Sequence, residues 1–335
     1  MVNPGILAFA ARHYRVAPEE MALTMATVRG GLCSTVSRVG VRFIDPHHRP
    51  RTARFIIKTV SGRELREIPA YESLVSPLGA SLGPQLLGRD RLADGSARLY
   101  LEWVQSWRKW PWAEETLVDT VLDRLAFLHG SLPDAAFGGE LRDWDYEAEL
   151  QRSAEDTLAY FELVLTDPQH WPLKRVRAPM RRVVASLGRL RSALLADEPT
   201  VIHGDAHPGN VMVRLHGNRR VPVLLDWARV RLGSPLEDVN SWLQSLGFWD
   251  GQTRRRHDAL VRRYLAARGN SGLLGSGFRD AYAVARASNA LAGAMKYHLL
   301  NMTNPDNPEW LHSQSAAYVR DWGRGILRAD ACCRA

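Results

Sequence analysis

The run Val201-Ile202-His203-Gly204-Asp205-Ala206-His207-Pro208-Gly209-Asn210-Val211 sets a carboxylate, two imidazoles and an amide in a tight loop between apolar residues. Downstream, Leu224-Leu225-Asp226-Trp227 places a second carboxylate at the end of another apolar run. Asp205 and Asn210 stand five residues apart in the loop. Such a set can supply one base and two metal-binding groups around a transferring phosphate. Each residue alone also fits a polar β-turn followed by an unrelated strand-end aspartate, and it is the ordered set that argues for chemistry. His203 and His207 are of the type that binds zinc, but no cysteine and no third clustered histidine completes a site. A structural role in the loop is therefore the expectation for both.

Those residues need elements to hold them. Thr24–Val28, Thr35–Phe43 and Ala53–Val60 have the β-branched and aromatic content of strands. Gly30-Gly31 separates the first two and Asp45-Pro46 opens the loop before the third, which predicts a meander building a small antiparallel sheet. Gly62–Leu78 carries Leu65, Ile68, Tyr71 and Leu74 at helical spacing, with Pro69 admissible only if the helix proper begins near it. Leu86-Leu87 and Ala97–Val104 read as two further strands. Beyond Glu102 the pattern turns helical, first over Thr116–Leu132, where Leu117, Val121, Leu125 and Leu128 form one face. Helical patterns follow at Asp145–Leu165, Met180–Ala196, Pro235–Leu246, Asp258–Arg268 and Arg279–Leu300. A strand pair, Val211–Leu215 and Val221–Leu225 joined by Gly217-Asn218, interrupts them. The sequence shows no internal repeat. It predicts an α+β chain of two lobes, a small antiparallel β-rich lobe over residues 1–102 and a larger, mainly helical one over residues 103–335.

Composition narrows the class. The chain has 335 residues, 45% of them hydrophobic, as expected of a globular protein. Its apolar stretches fall short of the roughly 20 residues a membrane span needs. The segment Met1–Arg15 has an apolar patch, Ile6–Ala11, without a preceding basic segment or cleavage site, so a cytoplasmic protein without a membrane partner is expected. Cys33, Cys332 and Cys333 offer neither a disulfide framework nor a metal-binding spacing, and the last two are expected in a frayed tail. The net charge of +8 is almost all arginine, because Lys58, Lys109, Lys174 and Lys296 are the only lysines. The arginines are interspersed with acids, and Arg254-Arg255-Arg256 and Arg262-Arg263 look like helix faces. A solvated surface is expected rather than a nucleic-acid partner.

His203-Gly204-Asp205-x-His207-Pro208-Gly209-Asn210 with Asp226-Trp227 resembles the Brenner-type motif of the aminoglycoside phosphotransferase and choline-kinase-like families. The resemblance implies the bilobal protein-kinase-like fold, with nucleotide binding in residues 1–102 and the catalytic loop, metal and acceptor in residues 103–335. It makes Asp205 the residue that orients or deprotonates the acceptor hydroxyl, and Asn210 and Asp226 the ligands of Mg²⁺, a hard cation that prefers oxygen. It makes Lys58 the phosphate-pairing lysine and Glu67 its anchoring carboxylate, with Glu64 and Glu72 as rivals on adjacent turns. Gly30, Gly31 and Ser34 occupy the place of the nucleotide-covering loop, although the spelling departs from G-x-G-x-x-G. Glu102, Trp103 and Val104 resemble the hinge, where backbone groups would bind adenine and the Glu102 side chain would be structural. Leu125-Ala126-Phe127-Leu128-His129 resembles a family helix in which His129 packs or braces the loop. Asp238, near a helix start, can cap N–H groups and brace the loop as well. The cofactors implied are ATP, with GTP as an alternative, and Mg²⁺.

For the acceptor the residues say less. The resemblance leads to a small-molecule hydroxyl acceptor, first an aminoglycoside or amino-sugar, hence a role in antibiotic resistance. Its alternative is a metabolic kinase for choline or ethanolamine, a sugar or homoserine, and a third reading is a nucleotide-binding regulator without transfer. A polycationic acceptor needs an acidic pocket. Asp143, Asp145, Glu147 and Glu149 form the best acidic run, although a spacing of two cannot place all four on one helix face. Asp250, Asp306 and Glu309 are further candidates. Trp103, Trp107, Trp110 and Trp112 suit interlobe packing better than a cage for a quaternary ammonium. A pure regulator has no need of Asp205, which argues for transfer. A monomer or homodimer is expected.

Overall fold

A computed structural model describes residues 3–28, 35–79, 82–104, 115–131, 141, 145–196, 199–216, 219–269 and 275–334. Gly30, Gly31, Ser34, Trp107, Trp110, Trp112 and Asp143 lie outside the described residues. The strands are β1 (Met21–Val28), β2 (Thr35–Ile44), β3 (Pro50–Val60), β4 (Leu86–Arg91), β5 (Ala97–Glu102), β6 (Thr200–Ile202), β7 (Val211–His216), β8 (Arg219–Leu224) and β9 (Arg231–Gly233). The helices begin with α1 (Pro4–Tyr14), α2 (Glu67–Ala70), α3 (Ser76–Leu78), α4 (Glu115–Ser131), α5 (Tyr146–Val164), α6 (Lys174–Ala185) and α7 (Leu187–Leu194). They continue with α8 (Pro235–Trp249), α9 (Gly251–Arg255), α10 (His257–Ala267), α11 (Ser276–Asn289), α12 (Met295–Thr303) and α13 (Glu309–Cys332). Contacts divide the chain into one unit of residues 1–109 with 210–229 and a second of residues 110–209 with 230–335. The hairpin β7–β8, which the sequence assigns to the second lobe, thus belongs with the first unit.

In the first unit β1 to β5 form an antiparallel sheet in the order β1-β2-β3-β5-β4. Alternation sends Val39, Val41, Phe55, Ile57 and Tyr100 to one face, where Ile6, Phe9 and Ala10 of α1 cover them. Phe9 stacks on Tyr100 at 3.7 Å. Asn3 caps α1 by accepting from the Gly5 N–H, and Pro4 occupies the first helical position. Only the apolar patch Ile6–Ala11 hinted at this helix. The predicted helix over Gly62–Leu78 is a 3₁₀ turn, then α2, a π turn over Tyr71–Val75, and α3. Pro69 falls in the first turn of α2, where its missing N–H leaves no bond unmade. The β7–β8 hairpin is tied in by the Leu224 N–H donating to the Leu82 carbonyl at 2.8 Å.

The second unit is helical, with β6 pairing antiparallel to β9. Phe161, Met180, Leu190, Leu291, Val319, Trp322 and Ile326 belong to its main core. The single helix expected over Met180–Ala196 is two, beginning at Lys174 and broken at Ser186, whose φ of −131° is not helical. The one expected over Arg279–Leu300 is also interrupted. A π turn at Ala290–Ala294 contains Gly293 at φ +124°, a conformation that disfavours any side chain. The expected frayed tail is the end of α13, a helix the sequence reading missed, with Cys332 and Cys333 packed against the core. Small residues muted its pattern. A Cβ on Gly323 would lie 2.8 Å from Val176, so the glycine permits close approach while adding nothing apolar to the sequence signal. Among the described residues no helix is long and apolar enough to cross a membrane.

Candidate active site

Lys58 lies in β3 between Val36 of β2 and Leu99 of β5. A central strand fixes its backbone and buries its stem, leaving only the ammonium to be satisfied. Its Nζ sits 2.5 Å from Glu67 Oε2 and 2.9 Å from Asp226 Oδ1. Burial lowers the ammonium's pKa, but the two carboxylates outweigh it and hold the group charged. Glu67 is wholly buried at the start of α2, and burial pushes its carboxyl up to about 7 despite Lys58. Its other oxygen accepts from the Trp227 N–H at 3.3 Å. Of the two rivals, Glu72 pairs with Arg89 at 2.6 Å. Glu64 comes near enough to Asp226 for the two charges to repel, and burial with that repulsion raises its pKa.

Asp226 is one of three non-glycine residues at positive φ among the described residues, here +62°. That conformation costs a non-glycine residue about 1 kcal/mol or more and persists only where its surroundings hold it. Three contacts do so: Lys58 on its carboxylate, the Trp227 N–H on Glu67, and the Leu225 N–H on the Asn210 carbonyl at 2.8 Å. The last bond sets Asn210 beside the 225–226 turn. Asp226 and Asn210 are oxygen donors of the kind Mg²⁺ prefers. Oxygens of Glu64, Glu67 and Asp226 lie within 4.8 Å of one another, with Lys58 on two of them and Arg63 3.7 Å from the third. Such a group of carboxylate oxygens is of the kind a hard divalent cation takes.

In the second unit the loop that begins at His203 hangs on Asp238. This residue, 1% exposed in the first turn of α8, accepts from the His203 N–H at 2.7 Å and the Gly204 N–H at 2.8 Å. His129 Nε2 approaches the same carboxylate at 3.1 Å. A carboxylate only accepts, so this nitrogen carries the proton, and Nδ1 accepts from the Tyr264 hydroxyl at 2.7 Å. Burial keeps His129 neutral by lowering its pKa. Burial would raise Asp238, but hydrogen bonding from His129 and the loop holds it below its ordinary value. The α8 N-terminus is capped instead by Ser234 and Glu237. Gly204 turns the loop at φ +78°. The imidazoles accept local bonds, His203 Nδ1 from the Asp205 N–H at 3.2 Å and His207 Nδ1 from the Gly209 N–H at 3.0 Å. Asp205 is left half-exposed, with His207 Nε2 3.8 Å from its carboxylate.

The model of the phosphotransferase enzyme family matches residues 48–287. The chain belongs to this family. No curated protein matches it. The fold is similar to that of the GDP and kanamycin complex of a 2″-aminoglycoside phosphotransferase of type IIIa, with a TM-score of 0.58 and 13% identity over 96% of this chain and 99% of that one. It is similar to a 3″-aminoglycoside phosphotransferase of type Id from Streptomyces rimosus, with a TM-score of 0.52 and 17% identity over 87% and 99%. Plasmodium vivax ethanolamine kinase aligns with a TM-score of 0.53 and 11% identity over 94% and 83%. The α+β kinase-like architecture is that of the phosphotransferase family.

Within this family member the sequence reading missed two arginines, one half-buried and one buried. Arg214 of β7 forks onto Glu102 at 2.6 and 3.0 Å and donates to the Gly83 carbonyl, which gives the Glu102 side chain a structural task. Arg231 of β9 pairs with Glu237 at 2.8 Å, lies 3.9 Å over the Tyr146 ring and reaches the Gly204 carbonyl at 3.4 Å. Ser288 donates to the same glutamate. Charge-rich composition hid both, since nothing local separates them from surface arginines. Trp103 meets the Arg38 guanidinium at 5.6 Å, and Val104 is buried. The acidic acceptor candidates are largely committed elsewhere. Asp145 caps α5, Glu147 faces Arg191 at 3.5 Å, Glu149 is buried and Asp250 caps α9.

Proposed function

We propose that this phosphotransferase moves the γ-phosphate of ATP or GTP to a hydroxyl of a small molecule, with an aminoglycoside or amino-sugar as the leading acceptor. The observation that carries the reading is the buried Lys58–Glu67–Asp226 constellation. A compact ammonium fixed by two carboxylates is suited to nucleotide phosphates, and it is more elaborate than a strand-end cation requires. Asn210 and Asp226 would hold Mg²⁺, which when bound neutralises charge on the phosphates. Asp205 orients the acceptor hydroxyl and takes its proton as the new P–O bond forms and the bond to the β-phosphate breaks. In a loose transition state positioning outweighs basicity, so a half-exposed carboxylate suffices.

The net charge of +8 and the commitment of the acidic run to capping and pairing favour acceptors less cationic than a typical aminoglycoside. Choline, ethanolamine, sugars and homoserine therefore belong in the same screen. ATP consumption measured across aminoglycosides, amino sugars and those metabolites, each positive repeated with Asp205→Ala, tests the reading. An acceptor that raises ATP use with wild type and not with the variant supports transfer through Asp205. A variant as fast as wild type refutes that role. Binding of Mg-ATP with no acceptor raising turnover would instead support a regulator.

A further inference from the structure

We propose that the helical unit carries a second ligand site, an arginine-lined cavity among α8, α10, α11 and α13 that binds a small phosphate-bearing organic anion. Two adjoining cavities of about 250 and 390 Å³ open there, and His257, Arg286 and Arg324 line both. Arg279 and Arg328 add to the rim of the first, Arg254 and Arg320 to that of the second. Negative charge opposite these guanidinium groups is scarce. Asp258 lines the first cavity beside His257 at 3.2 Å, Asp321 is shared by Arg286, Arg324 and the Gln244 amide, and Asp280 is taken by Arg328 at 2.6 Å. Arg254, Arg279 and Arg320 have no carboxylate partner among the described residues.

Arg286 distinguishes this cavity from a solvated basic face. Its side chain is 18% exposed, its guanidinium lies 5.8 Å over the Trp322 ring, and its buried Nε makes no hydrogen bond among the described residues. Burial pushes its pKa down to about 10. A guanidinium so desolvated needs compensation, and part of one shared carboxylate leaves that incomplete. A phosphate dianion supplies acceptors in the geometry a guanidinium fork prefers. The wall beside it is apolar, formed by Val261, Ala283 and Phe278, with Phe278 stacked on Tyr282 at 5.7 Å. That wall suits the organic body of a phosphomonoester. The cavity shares no residue with the Glu237 cluster, to which Ser288 and Asn289 donate from the last turn of α11.

The test is calorimetric titration of the full chain with glycerol 3-phosphate and with inorganic pyrophosphate, in EDTA so that no divalent ion bridges either probe to Asp226. The expected result is binding of at least one probe that Arg279→Ala/Arg324→Ala weakens about tenfold or more, each lost charge-assisted bond accounting for much of that. Both side chains are exposed, so the pair should not threaten folding. Lys58→Met and the charge-matched Arg175→Ala/Arg189→Ala, which lie outside the cavity, should leave the affinity within about twofold. Absence of binding by both probes overturns the proposal. So does an unchanged affinity in the cavity variant, or an equal loss in the charge-matched one, which would show a diffuse field effect. Loss with Lys58→Met alone would place the anion on the nucleotide machinery and overturn it as well.

Discussion

Replacing Asp238 by asparagine tests whether the loop is positioned as the geometry implies. The substitution keeps shape and volume but exchanges one acceptor oxygen for a donor NH₂. Oδ2 serves the His203 N–H and His129 Nε2, and Oδ1 serves the Gly204 N–H. Either amide orientation therefore turns a donor toward at least one buried backbone N–H. A hydrogen bond to a charged group contributes about 1.5–3 kcal/mol, and an orphaned buried donor costs about 1–3 kcal/mol. With relaxation absorbing part of this, Asp238→Asn should lose about 3 kcal/mol in urea unfolding at neutral pH. The deficit has a pH signature. Asp238 is depressed below its ordinary 3.8, so its contribution is full above that value and is lost as pH falls through the lower folded value. Wild-type and variant stabilities should converge in strong acid. Turnover should fall with the loop, while nucleotide binding, which the proposed function assigns to Lys58 and Asp226, stays close to wild type. A loss under about 0.5 kcal/mol with turnover within about twofold would refute the brace.

Four further outcomes follow from the same geometry. Asp205→Asn should lower kcat by about 10²–10⁴ with nucleotide affinity preserved, because positioning and proton acceptance are lost together, as steady-state kinetics with any acceptor found by the screen would show. Lys58→Met should weaken Mg-ATP binding by about tenfold or more in calorimetry, yet still fold at pH 6, since Glu67 near 7 can take up a proton when its partner goes. His298, buried with its pKa pushed down to about 4, is neutral in the fold, so its stabilisation is full above about 6.5 and erodes as pH falls toward 4. The span amounts to about 3 kcal/mol, and His298→Leu should flatten that part of the acid limb in urea titrations from pH 7 to 4. In Gly233→Ala the added Cβ would lie 2.5 Å from Ile202 and 2.8 Å from Glu237 Oε2, so thermal unfolding should show a loss of about 1–3 kcal/mol from displacing the Arg231–Glu237 pair.

What the sequence made legible was local. Asp205, Asn210 and Asp226 stood out as candidates because the proposed chemistry demands fixed spacings along the chain, and Lys58 because a lysine near the end of an apolar strand is conspicuous among arginines. Glu67 was harder. Glu64, Glu67 and Glu72 share a helical segment, and only the fold shows that Glu72 turns to Arg89 while Glu67 enters the core. Asp238 was read as a helix-start cap with a brace as its second task, and its oxygens are all given to residues from elsewhere in the chain. Arg231, Tyr146, Ser288 and Tyr264 gave no sequence signal, because each gains its role from a partner brought in by packing. The helix breaks at Ser186 and Gly293 were missed for a related reason. Apolar periodicity runs on through both, and only backbone dihedrals set by neighbouring helices interrupt it.

The choice of cation at position 58 ties local and global evidence together. The chain has 44 basic residues and uses lysine for only four, so an arginine there would match its habit. A guanidinium is planar and directs its donors in a fork, which suits the bidentate Arg214–Glu102 pair. The slot above β3 offers Glu67 on one side and Asp226 on the other, at 2.5 and 2.9 Å from a single nitrogen. Those two carboxylates come from α2 and from the second residue after β8, so no one plane is imposed on them. An ammonium has three donors around one point, enough for both carboxylates with one donor left for a ligand. By that reasoning Lys58→Arg should disable the site nearly as fully as Lys58→Met, although it preserves the charge.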